Sequence, residues 1–535
     1  MAGYLGALSD NIRVNADKCI FCGKCVDTCV LDNLRLKLAP CRQACPMEVN
    51  VQGYVRLILR GEEDKARELI REKLPFPEMV CLVCHHPCEA VCERGKTDAP
   101  VNIRGLKRYL FDCESGRSVS LPSRAPDSGK SIAIVGSGPA GLVAAYDLAR
   151  QGHSVVVHEM NGLAGGQLAK GIPAFRLPEE TVRRELSVLP HLGVEFAFHS
   201  RIGEDKTLTD LEQEHDAVIL AAGLGQGRRL HTRGEELVGV QNGTDFLAAA
   251  RAGSAPELPG NVIVIGGGNV AIDTALSALR QGASRVAVAA LEQPAELPAF
   301  AQEVRQAQEE GVEFLCGWGP VRLNETAGRV TGLVLRRCLR VFDDQGRFAP
   351  VFDENVTQTL NADHVLISIG QMREPGVLNG SGLRLEDLAS VDSLTKQWGS
   401  RKLFVAGDFL TGPGSVIGAM ASGRAAAESA HRLVNGQHLR YGRNYPGPVE
   451  TDFRVNTDRG ADVPRQESPN HVCEGKGDYA VVEGSLKPEQ ARMEAGRCRS
   501  CGSVYGKYRS CCFCLPCEVE CPEQALRVEI PYLLR

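Results

Sequence analysis

Two runs of cysteine carry the most specific chemistry in the chain. Cys511-x2-Cys514-x2-Cys517-x3-Cys521-Pro522 and Cys19-x2-Cys22-x2-Cys25-x3-Cys29 share one spacing, the second without the proline. Three thiolates so spaced wrap one [4Fe-4S] cube, while the fourth is turned away and serves a neighbouring cube. Each run therefore lacks one ligand and offers one. The economical solution is that the chain ends meet, with Cys19, Cys22 and Cys25 completed by Cys521, and Cys511, Cys514 and Cys517 completed by Cys29. Structural zinc is the alternative that Cys-x2-Cys pairs leave open.

Two glycine-rich turns imply nucleotide chemistry. The apolar run 131–135 leads into Gly136-Ser-Gly138-Pro139-Ala140-Gly141 and a helix predicted over 142–150; the strand 154–158 then ends at Glu159, placed to accept a ribose hydroxyl. The second unit repeats this, with a strand over 261–265, then Gly266-Gly-Gly268-Asn269-Val270-Ala271 and a helix over 270–281. Such turns bring backbone N–H groups at a helix N-terminus against a pyrophosphate. Two complete units imply two nucleotides.

The elements that must position these residues follow from length and texture. A chain of 535 residues is enough for three to four domains. Its 61 basic and 66 acidic residues leave a net charge of −5, which gives no general field for nucleic acid. Its apolar runs are too short and too glycine-broken to insert in a membrane. Residues 1–10 lack the pattern of a secretory signal, so the chain is expected to be cytoplasmic, where structural disulfides are rare. The 21 cysteines are concentrated at the two ends, ten between Cys19 and Cys92 and seven between Cys498 and Cys521. Helical spacing of Val51, Tyr54, Val55, Ile58, Leu59, Ala66, Leu69 and Ile70 predicts a helical cysteine region. From Ser131 onward, β-branched runs alternate with Ala-rich helices, the texture of parallel α/β layers. A linker is expected over 118–129.

With Gly165-Gly166-Gln167-Leu168, the stretch 171–178, Gly266 to Asp273, Ile369-Gly370-Gln371 and Ala406-Gly407-Asp408, the pattern resembles the small subunit of glutamate synthase. The N-terminal half of dihydropyrimidine dehydrogenase and the large subunit of ferredoxin-dependent transhydrogenases share that architecture. The match spans about residues 36 to 435. The resemblance implies an α/β fold with two Rossmann-like domains, the FAD domain (128–245 and 365–435) interrupted by an NAD(P) domain (246–364). A helical iron-sulfur domain (33–120), a connector (436–487) and ferredoxin-type segments (1–32 and 488–535) complete the expected organisation. FAD would be held by Gly136, Gly138, Pro139, Ala140, Gly141, Glu159, Gly166, Gln167, Leu168, Ile172, Arg176, Ala222, Gly223, Gly407, Asp408 and Val416. The nicotinamide nucleotide would be held by Gly266, Gly268, Asn269, Val270, Ala271, Asp273, Glu292, Gly370 and Gln371. Members of the family usually carry Tyr-Arg-Arg after the strand that follows the second fingerprint, and those arginines clamp a 2′-phosphate. Here Ala290-Leu291-Glu292 stands instead. A carboxylate there repels a 2′-phosphate and hydrogen-bonds a free hydroxyl, so NADH is expected over NADPH unless Arg280 or Arg285 supplies the missing charge.

The family's helical domain also implies further metal ligands. Its Cys-x3-Cys-Pro element survives as Cys41-x3-Cys45-Pro46, and its Arg-Cys-x2-Cys-Gly element reappears at the other end as Arg497-Cys498-x2-Cys501-Gly502. Cys41, Cys92, Cys498 and Cys501 are then expected around one cluster, and Cys45, Cys84 and Cys88 around another, with Cys81 as fourth ligand in place of a glutamine position that falls on Lys107. The sum is sixteen ligands for about four [4Fe-4S] clusters. Cys113, Cys316, Cys338, Cys473 and Cys512 are left as incidental thiols, and His85, His86 and His158 carry no functional assignment. The expected function is an electron-transfer subunit, in a hetero-oligomer, between NAD(H) and a partner redox subunit or ferredoxin. Electron bifurcation and a non-catalytic redox-sensing scaffold are the rivals. No acid-base catalytic residue is expected, and no thioredoxin-reductase-type dithiol, because Cys316 and Cys338 are far apart in sequence.

Overall fold

The computed structural model describes residues 12–15, 17–30, 33–112, 121–443, 460–506, 511 and 514–529. Residues 1–10, Cys113 and Cys512 lie outside them. The chain forms two compact units, one of residues 119–443 with 470–484, the other of residues 1–118, 444–469 and 485–535.

In the first of these, Ser131–Val135 is the middle strand of a five-stranded parallel sheet, ordered Leu403–Val405, Ala217–Leu220, Ser131–Val135, Ser154–Glu159, Val194–Phe198. Ile132, Ala133 and Ile134 have no exposed surface, as a strand covered on both faces requires. A second parallel sheet has the same design, with the fingerprint strand Gly260–Ile265 between Ala283–Ala290 and His364–Ile367. The fingerprint helices are Pro139–Arg150 and Asn269–Arg280. The first begins three residues ahead of the predicted start because proline, with its fixed φ and no N–H, suits the first helical turn.

Three features differ from the sequence reading. Trp318–Thr326, Arg329–Phe342 and Phe348–Asn361 form a three-stranded antiparallel sheet within the second nucleotide unit, which the reading did not anticipate. Phe175, in a stretch assigned to FAD, is fully buried in the core of the second unit beside Phe246, Val264, Ile272 and Val286. The connector is also more than a tether. Val482 is buried in that same core, its N–H bonds the Phe175 carbonyl at 3.0 Å, and the Tyr479 hydroxyl accepts from Gln281.

A buried histidine makes the first unit sensitive to acid. His153 is 1% exposed. Its Nδ1 lies 2.7 Å from the Ser128 hydroxyl and its Nε2 lies 2.8 Å from His431 Nδ1. Burial, then the His431 charge, lower its pKa to about 4 against the opposing pull of Asp216; Arg124 adds a bond to its carbonyl. The unfolded value is about 6.5. Its contribution to stability is therefore present above about pH 6.5 and lost as pH falls toward 4, because the unfolded chain takes up the proton first. The melting temperature of His153→Gln should fall less steeply between pH 7 and 5 than that of the wild type; equal slopes would remove His153 as the cause.

In the other unit the chain ends pair. Ile12–Val14 runs antiparallel to Leu526–Val528, with Ile12 opposite Val528, and Leu34–Lys37 runs antiparallel to Ser503–Gly506. Helices Val51–Leu59, Glu63–Arg71, Ile103–Asp112 and Pro488–Gly496 pack on one another in the same unit. Glu494 and Arg497 are fully buried. Glu494 accepts from the N–H groups of Asn102 and Gln466, while Arg497 pairs with Glu494 and Asp98 at 2.8 Å each and donates to the carbonyls of Ala99 and Pro100. This buried pair fastens the Cys498 and Cys501 turn beside the segment that follows Cys92. Among the described residues no helix is long and apolar enough to cross a membrane.

Candidate functional site

Each glycine of the first fingerprint has its own physical reason. Gly136 sits at φ 98°, and a Cβ there would lie 2.5 Å from the Ala221 carbonyl oxygen; one on Gly141 would lie 2.0 Å from the Gly136 carbonyl oxygen. These two allow strand and helix to approach. Gly138 has nothing within 4 Å of its would-be Cβ, so it holds space open in front of the helix. That helix has no side-chain cap, which leaves its first N–H groups for an anion. Gly166, at φ 54°, closes on the Cα of Gly138, and Gly407, at φ 66°, on Ala140. Ala222 and Gly223 follow the strand Ala217–Leu220, Leu168 is buried, and Ile172 bonds the Gln167 carbonyl at 2.9 Å. Val416 begins the long helix Val416–Val434, whose Gly423 packs so closely on the first fingerprint helix that a Cβ would lie 2.0 Å from the Ala140 carbonyl oxygen. Burial pushes the Asp408 carboxyl above the usual range against a bond from the Gly414 N–H.

Glu159 is buried beside this turn. Its Oε2 accepts from the Ser137 N–H at 3.0 Å and the Ser137 hydroxyl at 2.6 Å, and its Oε1 from the Asn161 N–H at 2.9 Å and side-chain amide at 2.6 Å. Four donors fill the lone-pair directions of a carboxylate. A ribose hydroxyl would fit by taking the place of the Asn161 side-chain amide, which is half-buried where Ser137 is fully buried. Arg176 stands elsewhere, paired with Asp273 and, at 3.1 Å, with Glu303. The structure therefore places Arg176 with the second nucleotide unit.

The second turn repeats the cradle. A Cβ on Gly266, at φ 135°, would lie 2.3 Å from the Ser368 carbonyl oxygen, whereas Gly268 opens onto free space and its helix again lacks a side-chain cap. Ala271 is fully buried, Val270 accepts from the Thr274 hydroxyl, and Asn269 accepts from the Phe300 N–H at 3.0 Å. Gly370 is at φ 108°, and Gln371 pairs with Gly227 in a short antiparallel ladder. The Glu292 carboxylate lies over the turn, its Oε2 2.9 Å from the would-be Cβ of Gly267. Neither alternative cation serves this spot. Arg280 is buried over the Phe175 ring, 4.1 Å from its centroid, and paired with Glu310, while Arg285 forms a two-bond pair with Glu313 at the far end of the strand. The cation beside this segment is one the sequence reading missed, Arg337 on the antiparallel sheet: a Cβ on Gly317, whose N–H bonds the Glu292 carbonyl at 2.8 Å, would lie 2.7 Å from Gln293 Nε2 and 3.1 Å from Arg337 Cζ. Arg336 is paired with Glu354 instead. Burial holds the Cys338 thiol above its ordinary value. Arg337 donates to the Cys316 carbonyl and the Cys338 N–H to the Gly317 carbonyl, so the segments of Cys316 and Cys338 meet although their strands belong to different sheets; both cysteines are free thiols.

The terminal cysteines gather in four sets. Burial pushes the Cys25 thiol up to about 12, helped by the Cys22, Cys19, Cys521 and Cys517 thiols. Cys517 is pushed up to about 11 by burial, then by Cys29, Cys511 and Cys514. Cys41 is raised by burial, then by Cys498, Cys88, Cys92 and Cys501. The fourth set surrounds Lys107. Burial works against the charge of its ammonium, but the Cys84, Cys81, Cys88 and Cys45 thiols outweigh it and hold its pKa above the ordinary value. Backbone N–H groups donate to five of these sulfurs, from Phe21 to Cys19, Asn33 to Cys29, His86 to Cys84, Ser500 to Cys498 and Ala525 to Cys521, at 3.2 to 3.5 Å. Phe21, His86 and Ser500 reach this geometry at positive φ, one turn conformation used three times. Thiolate sets with N–H donors aimed at sulfur fit iron-sulfur clusters, whose sulfurs take such bonds. Among the described residues no three Cys, His, Asp or Glu side chains close in on a single-ion site.

Comparison with known proteins agrees with both halves of this geometry. Residues 130–423 match the family model "Pyridine nucleotide-disulphide oxidoreductase", and residues 4–119 match "Dihydropyrimidine dehydrogenase domain II, 4Fe-4S cluster". The chain is 35% identical over 512 residues to the NADP(+)-dependent formate dehydrogenase subunit beta of Moorella thermoacetica, covering 87% of this chain and 71% of that one. It is 32% identical to the NADPH-Fe(3+) oxidoreductase subunit beta of Geobacter sulfurreducens, covering 87% and 75%. It is 30% identical to the NAD-dependent dihydropyrimidine dehydrogenase subunit PreT of Escherichia coli O157:H7, covering 74% and 92%. Among solved structures, FprA from Mycobacterium tuberculosis in complex with NADPH shares the fold at a TM-score of 0.51 and 21% identity, over 58% of this chain and 85% of that one. With two dinucleotide folds in one body and an iron-sulfur domain in the other, the chain belongs to the pyridine nucleotide-disulphide oxidoreductase family, in its FAD/NAD(P) iron-sulfur branch.

Proposed function

We propose that this chain is the FAD, NADH and iron-sulfur subunit that passes electrons between NAD(H) and a partner redox subunit. The observation that carries the reading is that thiols from opposite ends of the chain stand in common sets, in a protein that also builds two dinucleotide cradles. FAD belongs on the turn of Gly136, Gly138 and Gly141 with Glu159, and NADH on the turn of Gly266 and Gly268 with Glu292. Such carriers convert a two-electron hydride donor into one-electron traffic. The protein's own part is to open space at Gly138 and Gly268, present uncapped helix N-termini to pyrophosphates and hold thiolates against backbone donors. The subunit names of the relatives support a larger redox partner, and ferredoxin is the other acceptor of matching chemistry.

Anaerobic titration with NADH and, in parallel, NADPH tests the reading through flavin bleaching and cluster absorbance. Reduction by NADH at far lower concentration supports it, and silence from both nucleotides overturns it. A second reading, NADPH as donor, is favoured by one observation: Arg337 has no carboxylate partner among the described residues and stands at Gly317 beside Gln293, the residue after Glu292. Preferential reduction by NADPH, abolished in Arg337→Ala, would establish it instead.

The shared ligand sets have their own test. Cys521→Ala is expected to lose the cluster of Cys19, Cys22 and Cys25, about four irons, while the cluster of Cys511, Cys514 and Cys517 remains. Iron and acid-labile sulfide per chain, with the spectrum of what survives, check it; loss confined to the C-terminal run would refute the crossed pairing.

A further inference from the structure

One short helix carries two of the side chains that stand among the thiol sets; Arg42, outside it, also donates to the Phe21 carbonyl at 3.0 Å. On Val51–Leu59, the buried Tyr54 donates to the Ile103 carbonyl at 3.3 Å, and burial, with the charges of Cys88, Cys41, Cys81 and Cys45 adding to it, raises its phenol above the ordinary range. Arg56, two residues on, reaches a different pair of sets. Its side chain is 10% exposed, and its guanidinium donates to the Ser500 hydroxyl, lies 5.8 Å from the centre of the Phe21 ring and approaches the Asp17 carboxylate to 4.0 Å. Phe21 and Ser500 are the two residues whose N–H groups bond Cys19 at 3.4 Å and Cys498 at 3.5 Å. Both adopt the same left-handed conformation, at φ 53° and 52°. One cation therefore rests against two equivalent turns from opposite ends of the chain. Through these two turns it reaches the surroundings of both Cys19 and Cys498.

This arrangement puts the sets in order. The segment of Cys41 packs on that of Cys88, Arg56 joins the turns of Cys498 and Cys19, and Cys25 and Cys517 share one buried cluster. The row runs from Cys45/Cys81/Cys84/Cys88 to Cys41/Cys92/Cys498/Cys501, then to Cys19/Cys22/Cys25/Cys521, and ends at Cys29/Cys511/Cys514/Cys517. Arg56 is its middle joint.

We propose that Arg56 is the shared counter-charge of the two middle sets, tuning the reduction of both clusters together. The inference rests on the cluster reading above. A cluster gains negative charge on reduction, and a fixed guanidinium in a poorly solvated position favours the reduced form of each neighbour. Arginine is suited to this because it stays charged wherever it is buried.

The test is a redox titration of the full, cluster-loaded chain followed by electron paramagnetic resonance. Arg56→Met should lower two midpoints and leave the others in place. The expected size is about tenfold in the reduced-to-oxidised ratio at fixed potential, or about 59 mV for a one-electron couple. Arg56→Lys, which keeps the charge, should stay near the wild type. Should Arg56→Met fail to accumulate, Arg56→Gln makes the same comparison with Arg56→Lys. Movement of no midpoint or of only one, at wild-type iron content, overturns the shared role, as does an equal shift in the lysine variant. Absence of iron from the wild-type chain would instead overturn the cluster reading.

Discussion

Gly138→Ala should yield a stable chain that no longer retains its flavin, and Gly141→Ala a chain damaged in its fold. The two positions are three residues apart in one turn, yet the structure makes them opposites. At Gly138 the backbone is in an ordinary extended conformation, φ −71°, and an added Cβ meets nothing within 4 Å. Alanine costs nothing there in the folded chain and restricts the unfolded one, which is worth about 0.4–1 kcal/mol in its favour. The same methyl group occupies the space a pyrophosphate needs, and breaking each charge-assisted hydrogen bond from a backbone N–H to the phosphates costs about 1.5–3 kcal/mol. Affinity for FAD should fall at least about a hundredfold, read as flavin absorbance per chain, with the melting temperature of the apoprotein unchanged or slightly raised. At Gly141 a Cβ would sit 2.0 Å from the Gly136 carbonyl oxygen, so the helix must move off the strand at about 1–3 kcal/mol. Equal flavin loss from equally stable variants would contradict the division of labour.

The second large effect concerns the choice of nicotinamide. Glu292 stands over Gly267, where its carboxylate can accept from a ribose hydroxyl and oppose a phosphate. Glu292→Gln keeps the shape and removes the charge. The kcat/KM for NADH should fall about 10- to 100-fold, the worth of about 1.5–3 kcal/mol in a hydrogen bond to a charged acceptor, while that for NADPH rises. Glu292→Arg should carry the exchange further, because Arg337 already brings positive charge to the Gly317 turn beside it. An unchanged NADH to NADPH ratio in both variants would show that the ribose is read elsewhere.

What the sequence disclosed and what it hid divide along a physical line. The fingerprints were legible because strand, turn and helix are adjacent in the chain; the strand Ser131–Val135 is legible residue for residue, and only the proline start of the next helix is misplaced. The cysteine runs were legible because ligand spacing is local. Phe175 was hidden because its burial depends on Arg280, Phe246 and Val482, all remote in sequence. Arg337 was hidden for the same reason, since only its register opposite Trp318 carries it toward the strand that ends before Glu292. Residues 470–484 read as a polar connector because Tyr479 and Val482 are too few to show a period.

The pairing of Ile12–Val14 with Leu526–Val528 sets a timetable for biosynthesis. Cys19 leaves the ribosome about 500 residues before Cys521. At a synthesis rate of about 5–20 residues per second that interval is roughly half a minute to two minutes. Throughout it the N-terminal thiols lack the strand that pairs with Ile12–Val14, while the nucleotide-binding body between them can already fold. On the crossed pairing proposed above, in which Cys521 completes the N-terminal run, maturation of that run follows translation, and a nascent chain would depend on its cell to keep those early thiols reduced until Leu526–Val528 arrives.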